Sequence, residues 1–159
     1  EFGSAELAIG YVQLDVPPGT APGIARFYQE FLGAHVTVDG GSAGATATVS
    51  TGDAQRLRFR ETPQPLPEYD GHHVQVYIGD FSGPHQRLAR RGLVTEESSE
   101  YQYRFRDIVD PASGKHLFTL EHEVRSLTHP LYARPLVNRN PAQNNRDYVR
   151  GHDTFRGTY

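Results

Sequence analysis

Apolar residues alternate with polar ones along Ile9-Gly10-Tyr11-Val12-Gln13-Leu14-Asp15-Val16. Val12, Leu14 and Val16 share one face, and Tyr11, Gln13 and Asp15 the other, the period of a half-buried strand. Pro17, Pro18 and Gly19 end it, and the spacing changes. Ile24, Phe27, Tyr28, Phe31 and Leu32 recur at i, i+3, i+4, i+7 and i+8, one apolar stripe on a helix. Thr20 is placed to cap its start, and Gly33 to stop it in the left-handed conformation. His35–Val38 and Thr46–Ser50 are expected as short strands around the loop Asp39-Gly40-Gly41-Ser42. Arg56–Arg60 alternates again, with Leu57 and Phe59 opposite Arg58 and Arg60.

Pro63-Gln64-Pro65-Leu66-Pro67 is a stiff linker, because each proline fixes its own φ and restrains the residue before it. Beyond it the order returns. His73–Ile78 alternates with Val74, Val76 and Ile78 inward, and a short helix is expected from Pro84 to Arg91, stopped by Gly92. Tyr101–Phe105 alternates as a strand, Asp110-Pro111-Ala112-Ser113-Gly114 makes a turn, and His116–His122 closes the half. Strand, helix and three strands therefore occur twice, a repeat of pattern rather than of letters. The tail from Ser126 to Tyr159 has no sustained period, yet carries Leu131, Tyr132, Leu136, Val137, Tyr148 and Phe155. That apolar content predicts an extended segment docked on the domain or on a partner subunit.

Composition narrows the function classes. The 159 residues carry 16 basic and 19 acidic side chains, a net charge of -3. Nucleic acid and anionic membrane are poor partners for such a surface, and no apolar run reaches the roughly 20 residues of a membrane span. With no cysteine there is no disulfide, thiolate metal site or thiol nucleophile, and a cytoplasmic location is expected. Glu1-Phe2-Gly3-Ser4 reads as a cloning remnant, residues 1–4. One domain is expected over residues 5–125, in halves 5–62 and 70–125, with 126–159 as the tail. Gly40-Gly41-Ser42-Ala43-Gly44 lacks the lysine of a phosphate loop, and no Gly-x-Ser-x-Gly elbow is present.

Two βαβββ halves, the strand Ile-Gly-Tyr-Val-Gln-Leu-Asp-Val before a Phe-Tyr-rich helix ending in Leu-Gly, and a late Asp-Pro-x-x-Gly turn resemble the vicinal oxygen chelate superfamily. Its branches are the glyoxalases, the bleomycin-resistance proteins and the extradiol dioxygenases. The likeness runs from about Ala8 to Glu123. It implies an α+β fold, two tandem modules curling a mixed sheet into a cup, with the tail outside. It also implies a cleft that often holds a divalent metal on four side chains, one from the first and one from the last strand of each half.

Carried over one position at a time, that ligand set falls on Tyr11, Arg58, His73 and Phe118. Only His73 is a metal donor, so the resemblance implies a cleft without the usual metal. A one-residue slip of the terminal strands replaces Arg58 by Glu61 and Phe118 by Glu121. His73 with two acids then suits a hard dication. In the first half Leu57 and Phe59 argue against the slip. Glu121-His122-Glu123 is otherwise expected as a solvated strand end.

With the apolar alternates under the helices, the cleft receives Tyr11, Gln13, Asp15, Arg58, Arg60 and His73, then Gln75, Tyr77 and Phe118. Tyr11, Gln13, Arg58, Arg60, Gln75, Tyr77 and Phe118 are the expected ligand-binding residues, and His73 the candidate catalytic one. Arginines hold carboxylates or polarised carbonyls, and tyrosine faces stack on planar rings. The expectation is a small aromatic or anionic organic ligand, no cofactor and a homodimer by family precedent. The alternatives are a metal-dependent lyase, isomerase or dioxygenase, or a metal-free acid–base enzyme using His73.

Overall fold

A computed structural model describes residues 9–41, 44–132, 140–143, 148–149 and 151–152. The first half contains β1 (Tyr11–Val16), α1 (Ala21–Leu32), β2 (Val36–Gly41), β3 (Gly44–Ser50) and β4 (Arg56–Glu61). The second contains β5 (His73–Ile78), α2 (Ser82–Ala89), β6 (Val94–Ser99), β7 (Gln102–Val109) and β8 (His116–Ser126). Each half forms a four-stranded mixed sheet, ordered β1-β4-β3-β2 and β5-β8-β7-β6. In both sheets the first strand runs parallel to the last, and the other pairs are antiparallel. The tandem α+β architecture is therefore present.

The apolar stripe of α1 holds the halves together. Ile24, Phe27, Tyr28 and Phe31 are buried, and the helix packs on β2, β3 and β4 of its own sheet and on β7, β8 and α2 of the other half. Phe27 meets Phe105 with ring centroids 5.8 Å apart, and Tyr28 meets Phe59 at 5.4 Å. Removing such a ring from a filled core costs about 3–5 kcal/mol. Arg87 of α2 donates from Nε to the Phe31 carbonyl at 3.0 Å, satisfying an orphan acceptor at the α1 C-terminus. Gly33 takes φ 69° there, as the left-handed stop requires.

The start of α1 departs from expectation. Thr20 occupies the cap position, but its hydroxyl bonds the Pro17 carbonyl at 2.6 Å. The cap is Glu61, whose carboxylate accepts from the Ala21 amide at 2.9 Å and the Ala45 amide at 3.2 Å. Burial opposes its charge, yet amides of Ala21, Gly19 and Ala45 hold its pKa below the usual carboxylate range. Glu61 thus serves the helix terminus, where negative charge is favoured.

Several boundaries also move. Strands β2 and β3 continue into the expected loop until Gly41 pairs with Gly44. Helix α2 starts at Ser82 and ends at Ala89. Strands β7 and β8 extend to Val109 and Ser126, beyond the expected ends at Phe105 and His122. Most of the tail, residues 133–139, 144–147, 150 and 153–159, lies outside the described residues, with Leu136, Val137 and Phe155 among them. Tyr132 packs against Tyr77 with ring centroids 5.2 Å apart, and Tyr148 is buried. No helix among the described residues is long and apolar enough to cross a membrane.

Candidate functional site

Parallel pairing of β1 with β4 sets Tyr11, Gln13 and Asp15 beside Arg56, Arg58 and Arg60, and partners across a ladder share a face. Leu57 and Phe59 are buried on the opposite face, so the unslipped register holds in this half. The three arginines differ in their surroundings. Arg60 is gripped by Asp15, Nε to Oδ1 at 3.0 Å and Nη2 to Oδ2 at 3.1 Å. Arg56 donates to the carbonyls of Gly52, Asp53 and Gln55. Arg58 lies over the Tyr11 ring, 5.2 Å from its centroid, and has no carboxylate partner among the described residues.

Pairing of β5 with β8 sets His73 beside Glu121, Gln75 beside Glu123 and Tyr77 beside Arg125. The residue opposite His73 is therefore Glu121, not Phe118. The acids there are not bare. Arg104 of β7 reaches Glu121 at 2.6 Å and Glu123 at 2.5 Å, and Arg125 meets Glu123 at 2.7 Å. Arg125 also donates to Gln102 at 2.7 Å and to the Tyr77 hydroxyl at 3.1 Å. Each carboxylate is thus neutralised by a guanidinium.

The expectation of a solvated Glu121-His122-Glu123 strand end is overturned. Glu123 is 5% exposed and His122 fully buried, because β8 continues past them and turns His122 under α1. Arg104 and Arg125, which pair with these acids, were not singled out in the sequence. Continued alternation through Leu120, His122 and Val124, against Glu121, Glu123 and Arg125, was the available signal.

A four-donor metal site does not fit these residues. The first-half positions hold a tyrosine and a guanidinium, and Glu121 is committed to Arg104. Glu61, the other acid considered, caps α1. Among the described residues no group of three His, Asp or Glu side chains is placed to hold an ion. His73 is exposed and makes no hydrogen bond or ion pair among the described residues.

Six of the seven expected ligand-binding residues line two cavities. The larger, about 790 Å³, receives Gln13 and Arg60 from the first half, Phe118 from β8, and a wall from the linker at Leu66–Asp70 and His72. Phe118 stands edge-on to the buried Phe59, centroids 6.1 Å apart. The linker wall is self-braced: the Tyr69 hydroxyl donates to the His72 carbonyl at 2.8 Å, and Asp70 accepts from the His72 amide at 3.0 Å. The hydrogen bond from the His72 ring keeps the Asp70 pKa below its ordinary value. A second cavity of about 580 Å³ takes Tyr11, Gln75 and Tyr77 at the seam of β1 and β5. Arg58 and His73 line neither.

No protein-family model matches the sequence, and no curated protein matches it. Solved structures do. A possible glyoxalase from Bacillus cereus aligns at TM-score 0.51 with 19% identity, over 75% of this chain and 98% of that one. An integron cassette protein from Vibrio cholerae gives 0.50 and 17%, over 79% and 98%. The fosfomycin resistance protein FosX from Listeria monocytogenes gives 0.51 and 14%, over 75% and 90%. At such identities the likeness speaks for architecture, and with the topology repeated in both halves it leads to one statement: this chain has a glyoxalase-type fold.

Proposed function

We propose that the chain binds a small aromatic molecule bearing at most one acidic group in the larger cavity, with no metal taking part. The observation that carries this reading is the cavity, about 790 Å³ and walled by Tyr69, Phe118, Leu14 and prolines. That volume and that mixture of flat apolar walls with a few polar groups are typical of small-molecule sites. The anionic part of the expectation is narrowed by charge. Arg60 is already matched by Asp15 and Arg58 lines neither cavity, which leaves Lys115 as the lining cation for a ligand acid.

Thermal-shift screening tests the proposal, because a ligand that binds only the folded state raises its melting temperature. Aromatic acids and alcohols are expected to raise it, and Phe118→Ala to abolish the rise. A panel without effect at millimolar concentration rejects the reading.

A second reading, acid–base catalysis by His73, draws on its exposed ring beside Glu121, without a partner among the described residues. Turnover abolished by His73→Ala, with ligand affinity retained, supports it. The exposed Ile9, Val12 and Leu127 support a homodimer. Light scattering at twice the chain mass agrees with that, and the mass of one chain rejects it.

A further inference from the structure

The larger cavity has an acidic wall and a basic wall. Glu68 enters from the linker, Lys115 from the turn before β8. Neither side chain has a hydrogen-bond or ion-pair partner among the described residues. The other opposed charges of this cavity already have partners: Arg60 holds Asp15, and Asp70 accepts from the His72 ring at 2.6 Å. Resting on the ligand site proposed above, we infer that its natural ligand is a dipolar aromatic, with an ammonium-like group toward Glu68 and an acidic group toward Lys115.

Three features make this more specific than aromatic binding. Two unmatched charges of opposite sign on different elements of one cavity favour a ligand that answers both, because each single-charge ligand leaves one of them unanswered. The elements carrying them are stiff. Pro65 and Pro67 restrain the linker, while Asp110 accepts from the amides of Ala112 and Ser113 at 3.1 and 2.9 Å and so fixes the turn before Lys115. Tyr69 on the linker side and Phe118 on β8 also line the cavity, and their rings suit a planar body. Both charges are exposed, so each contributes modestly, about two- to fivefold in affinity.

A matched series tests the inference by calorimetric titration of the full chain. The probes are para-(aminomethyl)benzoate with both charges, para-toluate with the acid only, para-methylbenzylamine with the amine only, and para-methylbenzyl alcohol with neither. The dipolar compound is expected to bind about two- to fivefold tighter than either singly charged one. Glu68→Gln should weaken it about threefold while leaving para-toluate unchanged, and Lys115→Gln should weaken it similarly while leaving the benzylamine unchanged. Equal binding of all four compounds, or variants that leave the preference intact, overturns the dipolar inference and spares the cavity as an aromatic site. Failure of all four to bind, with aromatic ligands of other shapes failing too, overturns both.

Discussion

The hydroxyl of Tyr28 on α1 lies 2.6 Å from Nε2 of His122 on β8, a buried hydrogen bond between the two halves. The imidazole's other nitrogen, Nδ1, is 2.7 Å from the Leu120 carbonyl. That carbonyl only accepts, so Nδ1 carries the proton and Nε2 accepts from Tyr28. The ring also stacks on Phe105, centroids 4.2 Å apart and planes within 8°. Tyr28→Phe keeps the ring and strands Nε2 in the core, which costs about 1–3 kcal/mol. Urea unfolding measures the loss, and unchanged stability contradicts the pairing.

The same histidine predicts how acid destabilises the protein. Burial lowers its pKa to about 3, while an unfolded histidine titrates near 6.5. Between those values the unfolded chain binds a proton that the folded chain refuses. The stability His122 confers is therefore complete above pH ~6.5 and lost as pH falls toward ~3, by about 1.4 kcal/mol per unit at most. Unfolding free energies measured between pH ~7 and ~5, above the carboxylate range, should decline more steeply in the wild type than in His122→Gln, which keeps the smaller contribution of His129. Parallel curves contradict the assignment.

Arg104 holds two carboxylates beside His73. Arg104→Met leaves Glu121 without its cation and Glu123 with Arg125 alone, a loss of about 1–3 kcal/mol for a partly buried network. The variant also frees Glu121 next to the His73 imidazole. Added zinc or manganese is expected to raise its melting temperature and to leave the wild type unaffected. An equal response of both proteins counts against the neutralising role of Arg104.

Much of the fold was written in local alternation. β1, β4 and β5 were legible because their apolar positions fall strictly on every second residue, and α1 because its stripe is unbroken. Strand β6, Val-Thr-Glu-Glu-Ser-Ser, was not. It is an edge strand with exposed side chains from Thr95 onward, so burial left no period to read. The second-half site was misread at β8, where a polar residue, His122, occupies a core position. Its polarity is satisfied by Tyr28, 94 residues away in sequence, a partner that strand pattern alone does not identify. Placing the strand's end at His122 then hid the face carrying Glu121, Glu123 and Arg125. On the first half the faces were legible, but not the differing states of the arginines, which depend on Asp15, Tyr11 and the 52–55 loop.

Arg58 shares the β4 face with Arg60 but lines neither cavity, and its guanidinium lies over the Tyr11 ring. Arg58→Ala should therefore leave the affinity of aromatic acids and of aromatic alcohols unchanged. Titration calorimetry with both ligand types checks this. A loss confined to the acids, about three- to tenfold as for one charge-assisted contact, contradicts it and makes Arg58 part of the site.

Metal content, measured by plasma mass spectrometry on protein purified without chelators, tests the central claim most directly. With tyrosine and guanidinium at the first-half positions and Glu121 bound to Arg104, the account predicts no stoichiometric iron, manganese, nickel or zinc. One equivalent per chain, lost in His73→Ala or Glu121→Gln, contradicts it and makes the protein a metalloenzyme of its fold.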